Sequence, residues 1–384
     1  MNSNYKKTYF DVAATTPLDE RVAILMHEIN LEFFGNPSSV HQFGQKAHNI
    51  LEKSRKKISS ILGCRDSEIF FTSGGTESNN MVLKSVLKKN DHFITSSYEH
   101  PAILKVAQDL ENKGINVTYV KPNENGIVNI NDIENAINDS TKLISIMYVN
   151  NEIGTINPIK QISELCNKKN ILFHTDAVQC IGKIPFNLSD YNIDFCSIAA
   201  HKFYGPKSIG ALYIKNGKTI NPLFIGGGQE KGIRPGTENI ALIAGMCEAL
   251  EIAYNKMDEN INHIKDMEKL LINELDKLNI NYKINGKSRL PGLLNITFFD
   301  IEGQTLLMNL DMMGIAISYG SACSSGSSKP SPALINIGIN ENVAKNSVRI
   351  SIGKFINEDN ILNLANSIKT LMPHKQNKEV KNIG

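Results

Sequence analysis

Residues 69–80 read Ile69-Phe70-Phe71-Thr72-Ser73-Gly74-Gly75-Thr76-Glu77-Ser78-Asn79-Asn80. A short apolar run is followed by two glycines and then by a polar stretch that can begin a helix. Glycines at the start of a helix let backbone N–H groups approach an anion, and the helix dipole adds a favourable potential there. The segment is therefore suited to a phosphate. The alternative is an ordinary strand-to-helix turn in which Thr76 caps the helix.

Apolar runs alternate with amphipathic stretches on both sides of this segment, from about residue 68 to residue 214. Seven of the runs have the length and side chains typical of strands: Ile69–Phe71, Phe93–Thr95, Val117–Val120, Leu143–Val149, Ile171–His174, Phe195–Ile198 and Gly210–Ile214. Strands that alternate with helices form mostly parallel sheets covered on both faces. We therefore predict an α/β fold with a large, mostly parallel, seven-stranded sheet.

The pattern changes after residue 238. A long helical stretch is predicted from Ile240 to Leu278, with a break near Asp258, and a few strands and helices follow it. We expect residues 15–257 to form the large α/β domain, and residues 1–14 and 258–372 to form a smaller α+β domain. Residues 373–384 are polar and aperiodic, which is typical of a flexible tail.

The composition excludes several classes of protein. The chain carries 41 Lys and Arg against 39 Asp and Glu, a balance that argues against a protein that binds nucleic acid or membranes by bulk charge. No apolar stretch reaches the roughly 20 residues of a membrane helix, and the first residues lack the apolar core of a signal peptide. The six cysteines are widely spaced, without the pairs of a zinc site or a disulfide framework. We expect a cytoplasmic protein without an intrinsic metal.

Two charged residues follow predicted strands and are candidates for chemistry. Asp176 comes after the strand at residues 171–174, and Lys202 follows the strand that ends at Ile198. Ligands of parallel sheets bind beyond the carboxyl ends of the strands. An acid there can keep the ring nitrogen of pyridoxal phosphate protonated, and a partly buried lysine can form a Schiff base. The alternatives are a helix-capping Asp176 and an ordinary lysine.

Cys323 differs from the other cysteines. Cys166, Cys196 and Cys247 have apolar neighbours and are predicted to fill the core. Cys323 lies among small and polar residues, in a stretch of about residues 319–332 that we expect to be a long, mobile, solvent-reachable loop. A thiol on such a loop suits a nucleophile that enters a site and leaves it again. The alternative is an idle surface cysteine.

Together, these motifs resemble the class V aminotransferases, which are pyridoxal-phosphate enzymes of fold type I. The segments that carry this resemblance are Ala13–Pro17, Asn36–His41, Thr72–Asn80, Glu99–His100, Asn150–Gly154 and His201–Lys202. The segments Gly226–Thr237 and Gly320–Cys323 narrow it to the cysteine desulfurases of the NifS and IscS group. The similarity runs from about residue 9 to residue 370.

The resemblance implies a role for each matching residue. Lys202 binds pyridoxal phosphate covalently and serves as the general base, and Cys323 takes the sulfur from L-cysteine as a persulfide. Around the cofactor ring, the resemblance implies that Asp176 pairs with the ring nitrogen, Gln179 contacts the ring oxygen, and His100 stacks on the ring and transfers thiol protons. The phosphate is held by Gly75, Thr76 and His201, and Thr237 reaches the phosphate of the second subunit of a homodimer. Asn151 holds cofactor or substrate, and Arg349 binds the substrate carboxylate.

The same resemblance implies partners and departures. L-alanine is the second product, and the sulfur passes to an iron–sulfur scaffold protein or a tRNA-thiolation enzyme, where Cys323 could also share a cluster bound to the scaffold. Ala199 stands where the family usually has a serine that binds the phosphate, and Val12 replaces a polar residue. Two alternatives remain: another enzyme of this family, such as a selenocysteine lyase or an aminotransferase, and a non-catalytic protein with the same fold.

Overall fold

The computed structural model describes residues 7–320 and 330–373. Its central feature is a seven-stranded sheet with the strand order β2-β8-β7-β6-β5-β3-β4. The strands are β2 (Ile69–Thr72), β3 (His92–Ser96), β4 (Asn116–Val120), β5 (Thr141–Ser145), β6 (Leu172–Asp176), β7 (Phe195–Ala199) and β8 (Gly210–Ile214). Strand β8 is antiparallel to both of its neighbours, and the other pairs are parallel. The predicted seven-stranded, mostly parallel sheet is confirmed.

Strand β5 is shorter than the predicted run of residues 143–149. The backbone N–H groups of Ile146 and Tyr148 still donate to the carbonyl oxygens of His174 and Asp176, at 3.2 and 3.0 Å. The chain thus continues beside β6 beyond the assigned end of β5. This extension carries the backbone to Asn151, at the rim where the strands of the sheet end.

Helices cover both faces of the sheet and bury its apolar side chains. They are α1 (Glu20–Glu32), α2 (Gln42–Leu62), α3 (Gly75–Val86), α4 (Pro101–Glu111), α5 (Ile130–Ala136), α6 (Ile159–Lys169) and α7 (Ile240–Asn255). One apolar cluster contains Ile94 and Ile144, and a second contains Phe93 and Leu143, their neighbours along β3 and β5. Successive side chains of a strand point to opposite faces, so the continuous apolar runs of this sheet fill two cores.

The last third of the chain adds smaller sheets. Its elements are α8 (Met257–Lys277), β9 (Tyr282–Asn285), β10 (Leu293–Phe298), α9 (Gly303–Met312), β11 (Ile315–Ala316), α10 (Pro332–Asn336), α11 (Glu341–Ala344), β12 (Ser347–Ser351) and α12 (Glu358–Leu371). Strands β12, β10 and β9 form an antiparallel sheet, and β1 (Thr8–Tyr9) pairs with β11. The N-terminal segment therefore joins the last third of the chain. The division into domains at residues 14 and 257 stays a prediction.

The long helical stretch predicted from residue 240 is two helices. They meet at Lys256, slightly before the predicted break. The third apolar cluster, around Phe10, Leu271 and Leu294, holds α8 and the N-terminal segment against the small sheet. None of the helices in residues 7–320 and 330–373 combines the length and the apolar character that crossing a bilayer requires.

Candidate active site

The carboxyl ends of β6 and β7 open onto a cavity of about 240 Å³. Asp176 is the last residue of β6, and Lys202 ends a short turn that follows β7. Because these two strands are parallel neighbours, both residues reach the same edge of the sheet. Nine of the residues predicted for the site line this cavity: Gly75, Thr76, His100, Asn151, Asp176, Gln179, His201, Lys202 and Arg349.

Two predicted site residues are not in this group. Thr237 is exposed and does not line the cavity of its own chain. Cys323 lies outside the residues that the structure describes, as do residues 374–384 of the predicted tail. Gly320 and Pro330 are the described residues on either side of residues 321–329.

The carboxylate of Asp176 is held from two sides and is buried. Its Oδ2 accepts a hydrogen bond of 2.8 Å from Nδ2 of Asn79, and its Oδ1 accepts one of 3.0 Å from the backbone N–H of Val178. The sequence analysis missed Asn79. The available signal was its position one helical turn after Gly75, in the same segment of residues 69–80.

The start of α3 forms a cradle beside this carboxylate. The helix begins at Gly75 and is capped by Gly74, whose φ of 146° is one that favours glycine. A Cβ atom on Gly75 would lie 2.8 Å from Cγ2 of Val178, so no larger residue fits without a shift. Thr76 lies inside the first turn and is not the cap. The free N–H groups of a first helical turn are donors for an anion.

Lys202 is tied to the N-terminal segment. Its Nζ donates to the carbonyl oxygens of Ala13 and Ala14, each at 2.7 Å. The turn that carries Lys202 is held by Thr16, whose hydroxyl donates to the carbonyl of His201 and accepts from the N–H of Tyr204. The amine is therefore placed at the cavity by contacts between parts of the chain that are far apart in sequence.

The two histidines of the cavity, His100 and His201, have lowered pKa values that favour the neutral ring. Nδ1 of His100 accepts a hydrogen bond of 3.1 Å from the backbone N–H of Ala102, which assigns the proton of the neutral ring to Nε2. Burial lowers the pKa of His100, and the charge of Lys202 adds to this effect, whereas the charge of Asp176 opposes it. Burial and the charge of Lys202 lower the pKa of His201 to about 4.

Arg349 is a buried cation that lines the cavity, with 1% of its surface exposed. Its Nη1 donates to the carbonyl oxygen of Asn151 at 2.8 Å, and its Nη2 donates to Oδ1 of Asp11 at 2.7 Å. The Nε atom has no hydrogen-bond partner within the described part of the chain. Asp11 was not identified from the sequence, because nothing local to it marks a partner of Arg349.

Glu99, which precedes His100, is a buried carboxyl group that the sequence analysis did not single out as a titrating residue. Its Oε1 accepts from the hydroxyl of Ser96 and, at 2.9 Å, from the backbone N–H of Met147. Its Oε2 is buried without a partner among the described residues. Burial raises the pKa of Glu99 to about 8. The group is therefore largely protonated at neutral pH.

These residues fit pyridoxal phosphate. The start of α3 at Gly75 offers backbone donors for a phosphate. The buried carboxylate of Asp176 can pair with a protonated ring nitrogen, and the amine of Lys202 can form a Schiff base. The three groups line one cavity, so a single small molecule can reach them all.

Free thiols in the described residues are poor nucleophiles. Cys166, Cys180 and Cys196 are buried, and Cys64 and Cys247 are half-buried. Burial raises the pKa of Cys64 and of Cys247 to about 12, and it raises the pKa of the three buried thiols as well. The expectation that Cys166 and Cys196 fill the core is confirmed, whereas Cys247, predicted with them, is only partly buried against that core.

Comparisons with known proteins agree on one family. The model of the family described as aminotransferase class-V matches residues 8–364. A protein of Clostridium botulinum named "Cysteine desulfurase IscS" is 46% identical over 364 residues, which cover 93% of this chain and 92% of that protein. A protein of Dictyoglomus turgidum with the same name is 42% identical over 384 residues, or 97% and 98% of the two chains.

Solved structures are similar over the same extent. A structure titled "NIFS-LIKE PROTEIN" has a TM-score of 0.89 and 38% identity, and the alignment covers 95% of this chain and 99% of that one. A structure titled "SspA in complex with cysteine" has a TM-score of 0.81 and 36% identity, over 92% of this chain and 100% of that one. With the seven-stranded sheet, these similarities confirm the predicted fold class.

Proposed function

The chain belongs to the class-V aminotransferase family, and on that premise we propose that it is a cysteine desulfurase that uses pyridoxal phosphate. It converts L-cysteine to L-alanine and retains the sulfur as a persulfide. The observation that carries this proposal is the convergence of Lys202, Asp176, His100 and Arg349 on one cavity. An amine, an acid, a neutral imidazole and a carboxylate-binding guanidinium are the groups that this reaction needs.

Pyridoxal phosphate, when bound, supplies an electron sink for the pair of electrons left at Cα of the substrate. Asp176 would hold its ring nitrogen, and Asn79 and the N–H of Val178 orient that carboxylate. Gly75, Thr76 and His201 would hold the phosphate, and Gln179 would donate to the ring oxygen. His100 would stack on the ring.

The remaining steps belong to residues of the chain. The amine of Lys202, once free of the carbonyls of Ala13 and Ala14, removes the Cα proton of cysteine as general base. Arg349 and Asn151 orient the substrate carboxylate, and Arg349 can present two parallel donors where a lysine presents a point charge. His100, neutral with its proton on Nε2, is suited to exchanging protons with the substrate thiol.

Cys323 is the proposed acceptor of sulfur. As a thiolate it attacks the sulfur of the substrate, so that a sulfur–sulfur bond forms while the Cβ–S bond of the substrate breaks. The electron pair of the broken bond stays with the carbon product, which takes up protons to become alanine, and Cys323 keeps the sulfur as a persulfide. The high pKa values of Cys64 and Cys247 support this choice, because a group with a pKa of about 12 is almost wholly a neutral thiol at pH 7. The position of Cys323 in the sequence, between small and polar residues, suits a group that must move.

A homodimer is part of the proposal. Large apolar side chains are exposed in the loops that follow α1 and β8, and their exposed fractions are 71% for Phe34, 89% for Val40, 58% for Phe224 and 101% for Ile225. Exposed apolar groups of this kind mark protein interfaces. Thr237, exposed and absent from the cavity of its own chain, would reach the phosphate in the second subunit.

The sulfur acceptor and the cellular location also stay proposals. We propose an iron–sulfur scaffold protein or a tRNA-thiolation enzyme as acceptor, in line with the resemblance of the whole chain to the desulfurases of this group. We keep a cytoplasmic location, because six scattered cysteines without a disulfide framework suit a reducing compartment.

A turnover assay tests the proposal. Purified protein is supplied with pyridoxal phosphate, L-cysteine and a reducing thiol, and alanine and sulfide are measured together. Equal amounts of both over many turnovers are expected. Pyruvate and ammonia would indicate a lyase instead. A yellow protein that produces neither would favour the non-catalytic alternative, and Lys202→Ala should lose the yellow colour.

A further inference from the structure

Lys183 is a charged residue beside the cavity that no step above uses. It lies one residue after Gly182, whose φ of 75° is in the left-handed region. A Cβ atom on Gly182 would lie 2.7 Å from Cβ of Phe203, so glycine lets the chain turn closely past that ring. The turn brings Lys183 back to the side of the chain that carries Gln179, four residues earlier.

The contact between the two side chains is direct. Nζ of Lys183 donates to Oε1 of Gln179 at 2.8 Å. Nε2 of Gln179 in turn donates to the carbonyl oxygen of Ala13, also at 2.8 Å. Gln179 is 4% exposed and lines the cavity. Lys183 thus contacts the oxygen end of the Gln179 amide, and Ala13 contacts its nitrogen end.

This contact and the one to Ala13 together fix which end of the amide faces Ala13 and the cavity. A glutamine amide can exchange its oxygen and nitrogen by rotating about its last bond, and the two arrangements have nearly the same shape. When protonated, the amine of Lys183 only donates hydrogen bonds, so in that state it requires the oxygen of the amide on its own side. The NH2 group is then directed toward Ala13 at the cavity wall, and Ala13 takes one of its two hydrogens. The second hydrogen remains for an acceptor on a ligand.

We propose that Lys183 is a positioning residue, which orients the amide of Gln179 so that its NH2 group donates to the ring oxygen of the cofactor. The inference rests on the proposed function for the identity of that cofactor. Lys183 acts through Gln179 alone, and the proposal gives it no contact with substrate.

The surroundings of Lys183 indicate that its hydrogen bond to Gln179 is not accidental. The residue lines a small second cavity, of about 50 Å³, together with Val12, Thr16 and Tyr204. Burial and the like charges of Lys202 and Arg349 lower the pKa of Lys183 to about 7, against a smaller opposing effect of Cys180. An amine in such a place costs free energy, and the hydrogen bond to Gln179 offsets part of that cost.

The test is a double-mutant cycle on cofactor binding. Wild type, Lys183→Met, Gln179→Leu and the double variant are prepared without cofactor. The dissociation constant of pyridoxal phosphate and the pH midpoint of the visible band of the bound form are then measured in the absence of cysteine. Lys183→Arg, which keeps an obligate donor, is the conservative variant, and Lys160→Met changes an exposed lysine of α6 as a control.

We expect Lys183→Met and Gln179→Leu each to raise the dissociation constant by about five- to tenfold, the equivalent of one hydrogen bond, and to shift the pH midpoint in the same direction. In the Gln179→Leu background, Lys183→Met should add less than about twofold, because the residue through which it acts is gone. Lys183→Arg and Lys160→Met should behave as wild type.

Three results would overturn the inference: wild-type binding and midpoint in Lys183→Met, effects that simply multiply in the double variant, or failure of Lys183→Arg to restore both values. If Lys183→Met does not fold, Lys183→Gln replaces it, since an amide can accept from Gln179 as well as donate and therefore does not enforce one orientation. Wild-type protein that binds the cofactor without turning over cysteine would contradict the proposed activity and leave this test intact.

Discussion

Arg349 and Asp11 form an ion pair across 338 positions of sequence, with Nη2 and Oδ1 separated by 2.7 Å. The arginine side chain is almost wholly buried, and the pair joins β12 to the segment that follows β1. The Nε atom of Arg349 has no partner among the described residues. The guanidinium is thus held rigidly at the cavity, with its Nη groups bonded to Asn151, Asp11 and Ser318.

We expect Arg349→Lys to reduce kcat/KM for L-cysteine by roughly 100-fold, because a lysine cannot make two parallel hydrogen bonds to a carboxylate and would leave Asp11 partly unpaired. Steady-state kinetics of the two proteins measure this. Arg289→Lys is the control, since Arg289 pairs with Glu268 at 3.2 Å and does not line the cavity. Similar kcat/KM values for Arg349→Lys and wild type would refute the assignment.

Ala199→Ser should tighten cofactor binding. Ala199 is 1% exposed and lines the cavity at the end of β7. A hydroxyl there can donate to a bound phosphate, which is worth about two- to tenfold in the dissociation constant of pyridoxal phosphate. Equilibrium titration of cofactor-free protein measures it, with Ala365→Ser, a buried substitution in α12, as control. Equal or weaker binding by Ala199→Ser would count against this reading.

Glu99→Gln should stabilise the cofactor-free protein at alkaline pH. Burial raises the pKa of Glu99 from its ordinary value to about 8, so the folded state binds more protons than the unfolded state between those two values. The free energy of unfolding therefore falls as pH rises through this window. Glutamine is close in shape to the protonated acid and keeps an acceptor for Ser96 and the N–H of Met147.

The expected gain for Glu99→Gln is about 1–3 kcal/mol near pH 8, vanishing near pH 5, as measured by denaturant unfolding across that range. The matched control is Glu28→Gln, which changes an exposed carboxyl group in α1. The same stability difference at every pH would show that Glu99 does not titrate in this window.

Cys323→Ala should abolish the persulfide and the production of sulfide while leaving the yellow cofactor bound, because the thiol transfers sulfur and does not hold the cofactor. Mass spectrometry of the protein after exposure to cysteine detects the extra sulfur. Cys247→Ala is the control, since burial keeps that thiol protonated. Wild-type sulfur transfer by Cys323→Ala would exclude this mechanism.

Much of the fold and part of the site could be predicted from sequence because the relevant signals are local. The two- and 3.6-residue periods of apolar side chains mark strands and helices within short windows, so the alternation from Ile69 to Ile214 is visible without coordinates. Parallel strands place their carboxyl ends on one edge, so the positions of Asp176 and Lys202 after two strands already indicate a shared site. The break at Lys256 and the end of β5 were less accurate because element boundaries depend on surrounding contacts.

The sequence by itself determined the order of strands and helices, the sheet edge that carries the chemistry, and the family to which the motifs belong. Only the tertiary structure decided how distant segments complete the site. Lys202 donates to the carbonyl of Ala13, which lies 189 positions earlier in the sequence. Arg349 pairs with Asp11, 338 positions earlier, and Lys183 donates to the side chain of Gln179. The period of apolar residues indicates which face of an element is buried. It does not indicate which distant segments pair or what the pKa of a group such as Glu99 is, because both depend on how the packed elements exclude water and bring charges together.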